Sequence, residues 1–167
     1  MKLTRGILLL AIAGLHVLAP PSALAADEPM AVVVAEGSRH RVEGLPALAE
    51  IYRRKKQYWP DGQHIEPINL PADDPRRQRF SQVVLGMPPD RLDAYWNELY
   101  FHGVLPPTVL QSVEAVLRFV SMTPGGIGYV PLCSIDNRVT IALTIDTGGS
   151  AAERFSPAAC KREQPVR

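Results

Sequence analysis

Three histidines, His40, His64 and His102, follow the apolar N-terminal run and are the first residues to ask about chemistry. Histidine changes charge near neutral pH and ligates metals. None of the three, however, shares a short metal-ligand spacing with another histidine, a cysteine or a carboxylate cluster. No serine lies in a GxSxG elbow, so no Ser-His-Asp or Cys-His arrangement stands out. The simplest reading makes the histidines surface or turn residues, with no enzyme chemistry, cofactor or metal expected.

The stretch Thr123-Pro124-Gly125-Gly126-Ile127-Gly128-Tyr129-Val130 invites a phosphate-cradle reading. A dinucleotide motif must follow a strand and open a helix, whereas these glycines follow an apolar helical run and open an extended one. They read as a helix stop with a tight return to a sheet, and Gly128 is expected to serve the backbone at positive φ. Tyr95, Trp96, Tyr100 and Phe101 crowd one helix. They could wall a cleft, but Leu92, Tyr95, Trp96 and Leu99 match a buried stripe, which makes core packing the default. Cys133 and Cys160 are the two cysteines of the chain.

The elements that must position these residues begin after a secretory signature. Lys2 and Arg5 precede an apolar run from Gly6 to Leu18 and an Ala23-Leu24-Ala25 cleavage site, which predicts a signal peptide over residues 1–25. Cleavage there removes two of the 18 basic residues and none of the 17 acidic ones, leaving a net charge of −1. That balance argues against a nucleic-acid partner. Export would place both cysteines in an oxidising compartment as disulfide partners, worth roughly 3–4 kcal/mol for a loop of that length. Two free thiols are the other arrangement the sequence allows.

Met30 to Val34 is a β-branched apolar run typical of a buried strand. Leu45, Leu48, Ala49 and Tyr52 recur at helical spacing, and Arg53 to Lys56 fall where a helix C-terminus attracts cations. Trp59 to Gly62 is turn chemistry. His64 to Leu70 predicts a strand, with Pro67 suggesting an edge or an irregularity. Asp74 caps a second helix with Pro75 at its first position, then Phe80, Val83 and Val84 inward. A third starts at Pro88-Pro89-Asp90, and Ser112 caps a fourth with Val113, Val116, Leu117 and Val120 buried. Ile127 to Leu132 and Val139 to Ile145 close the pattern as strands. The whole predicts one α/β domain with a mixed sheet flanked by helices over residues 26–147, and a polar tail over 148–167.

Several segments resemble extracellular solute-binding proteins of the phosphate-binding type, the capture subunits of phosphate ABC importers. Leu48 to Tyr52 through Trp59 to Gly62 is similar to their LxxIFxGxxxxW segment, and Phe80 with Val84-Leu85-Gly86 to a phenylalanine followed by a VLG-like end. Ala94-Tyr95-Trp96 is similar to a tryptophan-containing helix. Thr123 to Val130 resembles their TPGAIGYV segment, the most specific match, and the likeness spans Leu45 to Pro131. The resemblance implies a single periplasmic-binding-protein-like (type II) lobe in a periplasmic, non-catalytic module. Its ligand would be inorganic phosphate or another small oxyanion, held with a second lobe, a homodimer mate or a membrane partner protein. The ligand-binding residues it implies are Asp73, Asp74, Arg76 and Arg77. Asp74-Pro75-Arg76 stand where the family carries Ser-Gly-Thr, so an accessory protein that kept the fold and lost the anion is the competing expectation.

Overall fold

The computed structural model describes residues 29–145. Its centre is a five-stranded mixed sheet of order β3-β2-β4-β1-β5. β1 (Met30–Ala35) runs antiparallel to both β4 (Gly126–Pro131) and β5 (Val139–Ile145), while β2 (Glu66–Asn69) is parallel to β4 and to β3 (Thr108–Val109). The continuous apolar character of β1 follows from this placement, since a strand with neighbours on both sides and helices over the sheet has no face to give to water. Met30 to Val34 are accordingly buried.

Residue alternation along β4 assigns the two layers. On one face, a Cβ at Gly128 would come within 2.5 Å of Val116 Cγ1 and 3.2 Å of Val120 Cγ2. These valines belong to α4 (Val113–Met122), which Ser112 caps through a 3.1 Å bond from the Ala115 N–H. On the other face, Tyr129 stacks on Phe80 of α2 (Pro75–Phe80) with centroids 3.8 Å apart, and it lies 6.0 Å from Tyr52 of α1 (Gly44–Tyr52). The second helix begins as its sequence dictates, with Asp74 accepting from the Arg76 N–H and Pro75 in the first turn. It continues through a π turn, Ser81–Leu85, and stops at Gly86 in the left-handed region.

Four expectations require correction. Gly128 lies inside β4, and the positive φ belongs to Gly125 at +76°. Gly128 is there because the α4 valines pack directly onto the strand. Pro67 sits in an interior strand, tolerated because β3 pairs only with Ile68 and Asn69. α3 (Asp93–Tyr100), preceded by a 3-10 turn Pro89–Leu92, keeps the expected stripe only half-covered: Leu92 is buried, Tyr95, Trp96 and Leu99 are half-buried, and Trp96 packs against the core. Finally, the basic run follows the end of α1 as expected, with Arg53 as its C-cap, but two of its side chains reach other segments. Arg54 takes φ +59°, Arg53 Nη2 donates to the Leu85 carbonyl at 3.0 Å, and Arg54 Nη1 to the Ile65 carbonyl at 3.1 Å. These cations tie neighbouring segments together. Among the described residues, no helix is long and apolar enough to cross a membrane.

Candidate functional site

The C-terminal ends of β2 and β4 lie beside the start of α2, and the four residues expected to bind a ligand fall there with different fates. Asp73 is exposed on an open groove of about 640 Å³ that Asp90, Asp93 and Gln78 also line. Asp74 is half-buried and already engaged: Oδ1 takes the Arg76 N–H at 2.8 Å, and Oδ2 takes the Arg76 guanidinium at 3.1 Å. Pro75 has no N–H to offer. The helix start therefore satisfies itself.

Arg77 turns the other way. Three residues before Phe80 and seven before Val84, it shares the inward face of its helix. Its relative exposure is 7 %, and no carboxylate among the described residues lies within 4 Å of it. Nε and Nη1 are buried without a hydrogen-bond partner. One turn later on the same face, Ser81 is fully buried and its Oγ also lacks a partner. Interior polar groups are ordinarily paired, and a buried unneutralised cation is costly. Two unmatched donors on one inward face are thus a local feature that calls for an acceptor.

Two phenols lie beside Arg77. Tyr52 donates its hydroxyl to the Ile68 carbonyl at 3.1 Å. The Tyr129 hydroxyl accepts from the Leu70 N–H at 3.3 Å and donates to Asn69 Oδ1 at 3.5 Å. Burial pushes both phenols upward in pKa. The nearby Arg77 charge opposes that shift, as do the hydrogen bonds to Tyr129. Both rings therefore stay protonated and contribute dipoles without charge. Sequence reasoning grouped Arg77 with Arg76 as one basic pair, and it passed over Tyr52, Tyr129, Asn69 and Ser81 as polar site residues. The signal available was the i, i+3, i+7 spacing from Arg77 to Phe80 and Val84.

The opposite end of the sheet carries a different cluster. His40 stacks flat on buried Trp59 with centroids 4.3 Å apart, and its Nε2 lies 2.9 Å from Asp61 Oδ2. They border an open groove of about 410 Å³, bounded by Gly37 to Arg39 and by Pro124 to Gly126. The His40 hydrogen bond and the Gln63 N–H hold the Asp61 carboxyl below its usual range. His64 Nδ1 meets Glu66 Oε1 at 2.7 Å, while His102 is exposed. No set of three metal-ligating side chains converges among the described residues. Cys133 is half-buried in the turn Leu132–Ser134, and its expected partner Cys160 lies outside the described residues.

Neither a family model nor a curated protein matches the sequence. Solved structures do resemble it. A phosphate ABC transporter substrate-binding protein from Clostridium perfringens, with bound phosphate, superposes with a TM-score of 0.56 at 15% identity, over 69% of this chain and 44% of that one. An ABC-type phosphate transport receptor from Vibrio cholerae gives 0.54 at 16% identity over 68% and 45%. PstS from Borrelia burgdorferi gives 0.51 at 19% identity over 68% and 46%. At such identities the likeness is one of fold, and this chain spans less than half the length of each. The chain has the mixed α/β fold of periplasmic-binding-protein-like structures.

Proposed function

We propose that the chain is an exported, non-catalytic oxyanion-binding module, with one lobe supplying one wall of the site. Inorganic phosphate or a related small oxyanion is the ligand, and a second lobe, a second copy or a membrane partner completes the enclosure. The observation that carries this reading is Arg77, an interior guanidinium with no carboxylate within 4 Å among the described residues, on a fold shared with phosphate receptors. Asp73, Asp74 and Arg76 contribute to the rim and to holding the helix start. In this reading residues 1–25 direct export to the periplasm, residues 26–147 form the domain, residues 148–167 form a polar tail, and Cys133 pairs with Cys160.

Isothermal titration with phosphate, sulfate and small carboxylates, together with the molar mass in solution, tests the proposal. Heat of binding that disappears in Arg77→Met supports it. Absence of heat with every anion, at every oligomeric state, refutes it. The second reading, an accessory protein that lost its ligand, is favoured by one feature: Asp74 and Pro75 consume or remove the helix-start N–H groups that an anion would use.

A further inference from the structure

We infer that a second copy of this chain docks on the β3 edge of the sheet, pairing β3 with β3 across a two-fold axis, with the apolar segment from Tyr100 to Val109 covering the contact. The contact goes beyond the oxyanion reading above and does not depend on it.

β3 is an end strand of the sheet, with β2 as its neighbour. The Leu110 N–H donates to the Asn69 carbonyl at 2.9 Å, in a register that sets Asn69 opposite Val109. Backbone groups alternate in direction along a strand, so the N–H and C=O of Val109 point away from β2 to the open edge. Such an edge invites another strand and is ordinarily guarded by charged side chains. Here that guard is missing, because no Asp, Glu, Lys or Arg occurs from Leu99 to Val113. Tyr100, Phe101, Leu105 and Val109 stand there instead, four of the seven exposed large apolar side chains among the described residues, with Phe101 at 86 %. The opposite edge differs: Arg138, immediately before β5, is held by Glu114 and Asp136.

The edge selects a second copy as its occupant for two reasons. An antiparallel hydrogen-bonded pair exchanges both backbone bonds between two facing residues, so Val109 opposite Val109 of the second copy satisfies both with one position. Pro107, two positions earlier, has no N–H to extend the ladder, and a longer foreign strand would find it broken there. A two-fold contact also sets a surface against itself. Apart from His102, this segment carries no ionisable side chain of the kind that would repel its own copy, and loss of charge is the mark of an interface core.

The test is sedimentation equilibrium of the purified protein from micromolar to millimolar concentration, beside Phe101→Glu, Val109→Lys and a control, Met122→Glu, whose side chain is 72 % exposed at the end of α4. The expected result is a reversible dimer whose dissociation constant rises at least about tenfold in each of the first two variants and stays unchanged in the control. Amide exchange adds a readout that a merely sticky patch would not move. The Val109 N–H should exchange at least about tenfold more slowly at the highest concentration than at the lowest, whereas the Leu110 N–H, bonded to Asn69 in either state, changes far less. A monomer throughout overturns the inference, as does a dimer that survives both edge substitutions or leaves Val109 exchange independent of concentration. Binding of the monomer to phosphatidylglycerol–phosphatidylcholine vesicles, lost in Phe101→Glu, gives this face to a membrane and also overturns it. A monomer that binds phosphate leaves the oxyanion reading standing, and a dimer without heat of anion binding leaves this inference standing alone.

Discussion

The two ends of the sheet each place a basic side chain against aromatic rings, and they handle its charge in opposite ways. At the end where β1 stops and β4 starts, His40 lies flat on Trp59 and meets Asp61, whose carboxylate is open to solvent. At the far end, Arg77 enters the layer between sheet and helices beside Tyr52 and Tyr129, with no carboxylate within 4 Å among the described residues. The first arrangement is complete in itself and braces a turn. The second leaves Arg77 Nε and Nη1 without a hydrogen-bond partner among the described residues. The family resemblance pointed to the start of α2, and of its four expected residues Arg77 is the one that turns inward.

Substitution can break this contrast, and the largest effect should come from the histidine end. A Cβ at Gly125 would strike the His64 carbonyl oxygen, and the position holds φ +76°. Gly125→Ala should therefore cost at least about 3 kcal/mol in denaturant unfolding, and any anion response should remain in the surviving folded fraction. Next in size, Arg77→Met should gain about 1–3 kcal/mol in anion-free buffer by removing an unmatched interior charge. A net loss there would mean that Arg77 is already neutralised and that the two ends are alike.

Tyr129→Phe should cost about 1 kcal/mol, because it deprives the Leu70 N–H of its acceptor and Asn69 of a donor. An unchanged urea midpoint would show that water replaces the phenol at no cost. The smallest effect concerns Asp61. Its folded pKa is depressed by His40 and the Gln63 N–H, so the stabilisation it provides is present above the unfolded carboxylate value and fades as pH falls through the folded one. Asp61→Asn should flatten the acid side of a stability-versus-pH curve slightly and leave the neutral plateau nearly unchanged, since exposed pairs contribute little. A pronounced drop at neutral pH would make the histidine end more than a brace.

What the sequence revealed was what local chemistry decides. Asp74 with Pro75, and Ser112 before an apolar stripe, announced two helices because a cap and its helix are neighbours in the chain. β1 was legible because burial on both faces demands an unbroken apolar run. β3 was not, since two exposed residues become a strand only by pairing with Ile68 and Asn69. The stripe of α3 was legible as to face, since Tyr95, Trp96 and Leu99 are half-buried beside buried Leu92, but amphipathic spacing does not say how fully another element covers that face. Tyr100 and Phe101, off that stripe, remain 63% and 86% exposed. Arg77 was half legible: its spacing to Phe80 put it inward, but its place in a basic run suggested a solvated face.

The position of β1 has a consequence for the order in which the protein assembles. It is the first strand of the described chain, yet its partners are β4 and β5, the last two. Its ladder bonds close a loop spanning nearly the whole domain, and such non-local pairings slow folding because chain entropy is lost before contacts repay it. Until Gly126 to Ile145 have been made, a fully apolar segment has no native strand partner. During synthesis the ladder bonds of Met30 to Val34 therefore remain unmade until β4 and β5 have emerged.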